Sequence, residues 1–499
     1  MPNPSNTANN SHKIVAGVAW LVTLSWLNRI LGFLSIFILA RLLSPADFGV
    51  MALIMIAIQL TETLTNIGSE QYFIQKSDST YDDLNCAWTS NLLIKLVASF
   101  LFALLSPVIA QAFNYSHLTP ALLTISTLPF INALANGWII KLKKELNYKN
   151  FFAVSTLSKL IANISAILTA WYFENYWALI LGALLNAILY TMLSYLCIRQ
   201  RATVGLQGWR KQFDFSKWVV LKGLVGHIRA KFDVWYASGV HGLTALGGYN
   251  FSKDLVLLPS REFLSPMSEV FFTAIATAKK GSEEQRLKIR KALTIIYLFA
   301  FPISMGWFLI AAPFTEVVLG NKWLEYVSII QTLGLLVLTF SVGNFISHIM
   351  TALGHVKALF YYDLFTLLIA LTLLFITSSY LNDITELALL RIFIGLVILL
   401  IGMIWLRYYK VLTMVEFIKP AIYPCIASIM MILSADWLTS SLISPFLQLV
   451  TIIIYSATLY SLLLVAGCRF NALGKLESQF VRELVNTGSQ KIVTKIKHN

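Results

Sequence analysis

Residues 219–261 read VVLKGLVGHIRAKFDVWYASGVHGLTALGGYNFSKDLVLLPSR, two long apolar segments joined by a glycine-containing turn. Basic residues interrupt these segments near their middles, at Arg229, Lys231, Lys253 and Arg261. A fifth basic residue, Arg29, lies in the first apolar segment of the chain. A charge deep in hydrocarbon costs at least about 2.5 kcal/mol, so such residues generally face a protein interior or a watery cavity. The pattern predicts a protein that holds an anion inside the membrane.

The composition of the whole chain supports a membrane location. Of its 499 residues, 57% are hydrophobic and 12% are charged, whereas soluble domains have about 25% charged residues. Apolar runs long enough to cross a bilayer core of about 30 Å recur along the whole length. The alternation typical of an outer-membrane barrel does not occur. We therefore predict an all-α polytopic membrane protein.

Breaks at charged, Gly or Pro clusters divide the chain into fourteen apolar spans. The spans lie near 14–41, 44–68, 84–112, 117–140, 150–173, 175–198, 217–240, 244–277, 292–312, 324–352, 357–379, 385–406, 416–436 and 441–467.

The distribution of Lys and Arg predicts the orientation of these spans. If the N-terminus is cytoplasmic, the loops on the far side contain only two basic residues, Arg41 and Lys322. The positive-inside rule then places both termini in the cytoplasm.

The net charge of +14 is spread over short loops and the C-terminal tail, so nucleic acid is not an expected partner. The scattered cysteines and histidines predict neither a metal site nor a disulfide framework.

The first twelve spans divide into two similar halves. In one half Arg29 is followed by LLSPADFG, which ends at Gly49; in the other Arg229 is followed by GLTALGGY, with Gly247 and Gly248. The offset near 200 residues predicts a parallel repeat about an axis along the membrane normal. We predict six-helix lobes at 1–205 and 206–410, transmembrane helices 13 and 14 within 411–468, and a basic tail at 469–499.

The tail has apolar residues near helical spacing with basic residues between and beyond them. This pattern predicts an amphipathic helix attached to anionic lipid at the inner surface. A solvated tail remains the alternative.

Depth identifies the strongest candidates for anion binding. At about 1.5 Å per helical residue, Arg29 lies about 22 Å into its span, Arg229 about 18 Å from an inner end and Arg261 about 25 Å from an outer end. All three are near the midplane, which favours roles in a cavity over structural ion pairs. Asp233 lies four residues after Arg229, so a plain intrahelical pair is the alternative there.

Span eight contains a second group of charges. Asp254 and Arg261 are seven residues apart and share a helix face, while Lys253 lies about a quarter-turn away. Pro259 between them is expected to break or kink the helix and free backbone groups at cavity depth. Lys231 in span seven points away from Arg229.

Shallower charges are weaker candidates. Lys95 and Lys159 either contribute to substrate binding or extend toward the cytoplasm. Glu62 lies close to the inner end of span two. Together with Asp233 and Asp254, it is a candidate for coupling to an ion gradient.

Several stretches of the chain resemble a known family. They are LARLLSPADFGVMAL (39–53), DDLNCAWTSNLL (82–93), FDVWYASGVHGLTALGGYNFSKDLVLLP (232–259), VLGNKWLEYVSIIQTLGLL (318–336) and MTALGHVKAL (350–359). Their combination resembles the bacterial polysaccharide flippases, the Wzx-type members of the MOP superfamily. The resemblance implies two six-helix lobes around a V-shaped cavity that opens alternately to each side of the inner membrane.

The resemblance also implies a substrate, undecaprenyl-diphosphate-linked oligosaccharide for O-antigen, capsule or exopolysaccharide synthesis. By position, Arg29, Arg229, Lys253 and Arg261 match the basic cavity residues of related flippases, and Asp233 matches a recurrent acid. Span two has no basic residue. A polysaccharide polymerase and a chain-length regulator are expected protein partners beside membrane lipids. No cofactor is expected beyond a proton or sodium gradient.

Two alternatives remain. A cation-coupled multidrug exporter of the same superfamily would favour acids and aromatic residues in its cavity, whereas bases dominate the midplane here. A membrane polymerase or ligase would need a sizeable external loop, and the loops predicted on that side are short.

Overall fold

The computed structural model describes residues 26–470 except 77, 114, 146–148 and 440–443, together with 478, 479 and 482. Every regular element in that part of the chain is helical. The first helix, α1, is described over 26–42. The next elements are α2 (Pro45–Thr65), α3 (Ser69–Gln75), α4 (Tyr81–Ala112), a 3-10 turn (Ser116–Leu118), α5 (Thr119–Ile125), α6 (Leu128–Ala133), α7 (Trp138–Lys144), α8 (Lys149–Phe173) and α9 (Trp177–Cys197).

The second half of the chain is equally helical. It comprises α10 (Trp209–Val240), α11 (Gly242–Pro259), a π-helix (Ser260–Leu264), α12 (Ser265–Ala276), α13 (Glu283–Phe314), a second π-helix (Thr315–Leu319), a 3-10 helix (Asn321–Tyr326), α14 (Val327–Gly334), α15 (Leu336–Ala352), α16 (Val356–Thr377), a short 3-10 turn (Ser378–Tyr380), α17 (Ile384–Tyr408), α18 (Met414–Thr439) and α19 (Pro445–Arg469).

These helices confirm the predicted all-α polytopic class. Within the described residues, ten helical segments are long and apolar enough to cross a membrane, or eleven if the bent pair Ser116–Ala133 and Trp138–Lys144 is one span. The described part of predicted span one (26–41) and the predicted spans seven and eight are helical but are not among them. The first is described only from residue 26, and the other two contain the charges that reduce hydropathy. The count of fourteen is therefore approximate.

Polar pairs fix where several spans begin. Ser44 caps α2: its hydroxyl accepts from the Asp47 backbone N–H at 3.3 Å, and Asp47 Oδ2 accepts from the Ser44 N–H at 3.0 Å. Thr80 and Asp83 make the same reciprocal cap on α4. Such capping boxes satisfy backbone donors that have no partner within the helix, so these spans have sharply defined ends.

The chain forms two compact units, Met1–Gly247 and Gly248–Asn499. The first unit includes α10 together with the helices before it. The predicted lobe boundaries concern the internal repeat, and they stay predictions. Most of the predicted amphipathic tail at 469–499 lies outside the described residues.

The core of the first unit is built from apolar side chains of α2, α4, α5, α6 and α9. Ile54, Leu122 and Ile180 are completely buried there, and Phe102 is nearly so. Small residues bring α8 and α9 close together, since a Cβ added at Gly182 would lie 2.8 Å from the Cβ of Ala166. The main apolar cluster of the unit thus lies between these five helices, and smaller buried clusters lie elsewhere in the unit.

Backbone-to-backbone packing joins α2 to the first turns of α11 within the first unit. A Cβ added at Gly49 would lie 1.8 Å from the Leu243 carbonyl oxygen, and one added at Gly247 would lie 1.8 Å from that of Pro45. The two contacts are reciprocal, because Gly49 and Gly247 are separated by the same interval as Pro45 and Leu243. An internal repeat with an offset near 200 residues predicts this relation.

In the second unit, α13 is the central helix. The Tyr460 hydroxyl of α19 donates to the Leu298 carbonyl of α13 at 2.8 Å, and the Tyr423 hydroxyl of α18 donates to Leu463 at 2.6 Å. The helices predicted as spans 13 and 14 therefore pack on α13 and on each other. Nearby, the fully buried Trp323 packs against Phe251, with ring centroids 4.2 Å apart.

The close approach at Gly49 generates a stability prediction. Gly49→Ala is expected to destabilise the fold by about 3 kcal/mol, because a backbone carbonyl, which cannot rotate away, occupies the space of the added methyl. Gly226→Ala is the matched control, since a Cβ there meets nothing within 4 Å. Thermal unfolding of the two purified variants should give a clearly lower midpoint for Gly49→Ala alone. Equal midpoints would contradict the packing described.

Candidate functional site

The first candidate base, Arg29, is on α1 and is half-buried. Its guanidinium carbon lies 5.6 Å from the ring centroid of Trp26, one turn earlier on the same helix. The neighbouring Asn28 donates from Nδ2 to Thr156 Oγ1 of α8 at 2.7 Å. This hydrogen bond joins α1 to α8, so the face of α1 next to Arg29 packs toward α8.

The charges of α10 lie at different depths in the first unit. Arg229 is half-buried, whereas Asp233, one turn later, is completely buried. A buried carboxylate is costly unless it is paired or hydrogen-bonded, and both residues do take part in interactions within the structure. Lys231 is also half-buried. The interval of four residues between Arg229 and Asp233 places them one turn apart on α10, and an intrahelical pair between them stays a prediction.

Two shallower candidates line one cavity. Glu62 near the end of α2 and Lys95 of α4 both border a cavity of about 290 Å³ in the first unit. Lys159 of α8 is exposed and is not among its lining residues. Sequence spacing does not show which positions on two different helices lie close together, so it did not predict that Glu62 and Lys95 share a cavity.

In the second unit, Asp254 and Arg261, which were predicted to share a helix face, form an ion pair with each other. Arg261 Nη1 lies 2.9 Å from Asp254 Oδ1, and the side chains are 42% and 41% exposed. Asn250 Nδ2 donates to the other Asp254 oxygen at 3.3 Å. Arg261 has five donors in all, so several remain for a ligand. Lys253 is buried beside the pair.

The helix around Pro259 widens instead of breaking. Residues Ser260–Leu264 form a π-helix that contains Arg261, and α12 continues from Ser265. Insertions of this kind are frequent at functional sites. The helix therefore does not break at Pro259 as the sequence led us to expect; it continues through a π-turn into α12.

Small polar residues fasten this π-turn to α15. Ser341 Oγ donates to Ser260 Oγ at 3.0 Å, and Asn344 Nδ2 donates to Ser265 Oγ at 3.2 Å. Sequence reasoning did not identify these residues. The available signal was the presence of small polar side chains within otherwise apolar spans.

The structure thus joins some predicted residues and not others. Glu62 and Lys95 share a cavity, and Asp254 and Arg261 are paired. No cluster of three or more His, Cys, Asp or Glu side chains suited to a metal occurs among the described residues. The binding and coupling roles of all these side chains stay predictions.

The fold is shared with solved membrane transporters. The lipid II flippase MurJ in an inward closed conformation gives a TM-score of 0.72 at 18% identity, covering 94% of this chain and 100% of that one. An inward-facing multidrug resistance MATE family transporter of the MOP superfamily gives 0.59 at 14% identity, over 76% of this chain and 94% of its own. The chain therefore has the fold of MOP superfamily transporters and is a multi-pass membrane protein.

Sequence relatives narrow the assignment. Lipopolysaccharide biosynthesis protein WzxC of Escherichia coli (strain K12) is 23% identical over 357 residues, which are 71% of this chain and 73% of that protein. Teichuronic acid biosynthesis protein TuaB of Bacillus subtilis (strain 168) is 21% identical, over 60% of this chain and 63% of its own. The model of the polysaccharide biosynthesis protein family matches residues 38–328. The match covers more than half of the chain, which belongs to this family.

The anchoring of the π-turn can be tested by a conservative change. Ser341→Ala removes one buried hydrogen bond and is expected to cost about 1 kcal/mol. Ser347→Ala on the same helix is the control, because the Ser347 hydroxyl donates only to the Gly343 carbonyl of α15 itself. Thermal unfolding midpoints of the two variants give the comparison. A Ser341→Ala midpoint no lower than that of Ser347→Ala would contradict an anchoring role.

Proposed function

We propose that this protein is a flippase for undecaprenyl-diphosphate-linked oligosaccharide, working by alternating access in the inner membrane during surface polysaccharide synthesis. The observation that carries the proposal is the presence of Arg29, Arg229 and Arg261 near the predicted midplane of a MOP transporter fold. Family membership and the names of the relatives, which concern lipopolysaccharide and teichuronic acid biosynthesis, support it.

The chemistry of a lipid diphosphate fits these side chains. Moving a diphosphate out of water requires several positive charges, and the guanidinium fork matches phosphate oxygens with paired hydrogen bonds. Arg261 is partly exposed and retains donors beyond the one it gives to Asp254. The polyprenyl chain stays in lipid while the sugars pass through water. The transport step breaks no covalent bond and needs no cofactor.

Acidic residues have the properties required for ion coupling. Asp254 is the counter-ion of Arg261, so a bound diphosphate would compete with it for the guanidinium. Asp233 is buried on the same helix as Arg229. Protonation or sodium binding at either carboxylate would change how firmly the base is held. With Glu62, these are the candidates for coupling to a proton or sodium gradient.

The distribution of Lys and Arg supports cytoplasmic termini. Under that topology the substrate enters from the cytoplasmic leaflet, and after transport it becomes available to a polysaccharide polymerase and a chain-length regulator.

The multidrug exporter is the weaker alternative: the MATE likeness concerns the fold alone, and the midplane bases would repel a cationic drug.

Replacing Arg29 or Arg261 by Ala is expected to abolish surface polysaccharide, because either change removes a positive charge proposed to bind the diphosphate. Protein levels in the membrane should stay near normal. The control is Arg199→Ala, in the exposed loop after α9. Polysaccharide is measured by gel electrophoresis and immunoblotting, and lipid-linked oligosaccharide should accumulate in the two mutants. Normal polysaccharide in both would contradict the assignment of the site.

A further inference from the structure

The cavity of about 290 Å³ in the first unit has a polar lining. It lies between the end of α2, α3, the first half of α4 and α7. Its polar side chains are Glu62, Asn66, Ser69, Gln71, Asn91 and Lys95, beside the paired Glu70.

Several of these polar groups have no protein partner. Among the described residues, the side chains of Glu62, Asn91 and Lys95 make no hydrogen bond or ion pair. The Ser69 hydroxyl is likewise unpartnered, although Ser69 is only 6% exposed. Glu62, Asn91 and Lys95 are half-buried, whereas Ser69 is buried, and buried polar groups are normally hydrogen-bonded because an unsatisfied one costs free energy. The lining therefore has donors and acceptors available to a ligand.

A larger cavity nearby provides a contrast. It has a volume of about 510 Å³ and is lined by Lys141 and Lys144 among others. The Lys144 ammonium donates to the Phe73 carbonyl at 3.2 Å and to Ser79 Oγ at 2.7 Å. The Lys141 ammonium lies 4.4 Å from the ring centroid of Trp138. Protein groups already surround both cations, so the unpartnered lining of the smaller cavity is the better indication of a binding site.

The mixture of charges in the smaller cavity selects the class of ligand. An anion would meet the Glu62 carboxylate, and a cation would meet the Lys95 ammonium. A neutral polyhydroxylated ring both donates and accepts, so it satisfies the carboxylate, the ammonium and the amides together. The volume is near the lower limit of ligand pockets, about 300 Å³, which suits one sugar unit and not a polyprenyl chain.

We propose that this cavity binds a sugar unit of the transported oligosaccharide and thereby contributes to substrate selection. The inference rests on the proposed flippase function. Glu62 accepts hydrogen bonds from sugar hydroxyls, Lys95 donates to them, and Asn91 does both. Under the proposed topology the cavity is at the cytoplasmic end of α2, the side from which the substrate enters. Glu62 and Lys95 are then specificity residues, distinct from the diphosphate-binding arginines.

Measuring the binding of two lipids distinguishes the affinity that comes from the sugar from the affinity that comes from the diphosphate. The full-length protein in nanodiscs is titrated with undecaprenyl diphosphate, and separately with lipid-linked oligosaccharide extracted from a strain in which the gene is deleted. The variants are Glu62→Gln, which changes a single atom of the side chain, and Asn91→Phe, which fills the cavity. Gln111→Phe, exposed near the other end of α4, is the control.

We expect each cavity variant to bind the sugar-bearing lipid at least tenfold more weakly than wild type. Binding of undecaprenyl diphosphate should be unchanged, which also shows that the variants are folded. Gln111→Phe should match wild type with both lipids. If Asn91→Phe does not fold, the result with Glu62→Gln decides.

Three results would overturn the inference. The first is unchanged affinity of the cavity variants for the sugar-bearing lipid, and the second is an equal loss for both lipids. The third is a loss of sodium binding in Glu62→Gln with sugar binding intact, which would make the cavity an ion site. If wild type binds neither lipid, the proposed function itself fails, and that result is distinct from the other three.

Discussion

The cost of placing charge in hydrocarbon is the constraint on which the rest of this structure depends. The charged helices α10 and α11 do not meet the hydropathy requirement that ten other helical segments meet. Their charges are accommodated in different ways: Asp233 and Lys253 are buried in the protein, and Arg261 is paired with Asp254. Helices that retain such residues despite their cost point to a function that requires them.

A second constraint is the close approach of α2 to the start of α11. Gly49 and Gly247 allow backbone atoms to touch where any side chain would collide. The two contacts are reciprocal and related by one offset, the relation expected of an internal repeat, and the repeat itself stays a prediction. The same glycines belong to two of the segments that resemble the polysaccharide flippases.

The sequence predicted the helical class, the approximate position of each span and the shared face of Asp254 and Arg261, because these depend on local periodicity and spacing. It did not predict that the helix widens into a π-turn after Pro259. The hydrogen bonds that hold this region come from Ser341 and Asn344, which are distant from it in sequence. The meeting of Glu62 with Lys95 was missed for the same reason: it arises only from the packing of α2 against α4. Local periodicity indicates where each helix lies in the sequence, whereas the candidate sites depend on contacts between helices that are distant in sequence.

Translocation in a purified system tests the central claim most directly. The full-length protein is reconstituted into liposomes that contain its lipid-linked oligosaccharide in both leaflets, and a membrane-impermeant oxidant of sugars is added outside. The account predicts that the whole pool becomes oxidised, because inner-leaflet substrate is moved outward, while protein-free liposomes lose only their outer-leaflet pool. A glycolipid that lacks the diphosphate should stay protected inside. Protection of the inner-leaflet substrate in the presence of folded protein would contradict the account.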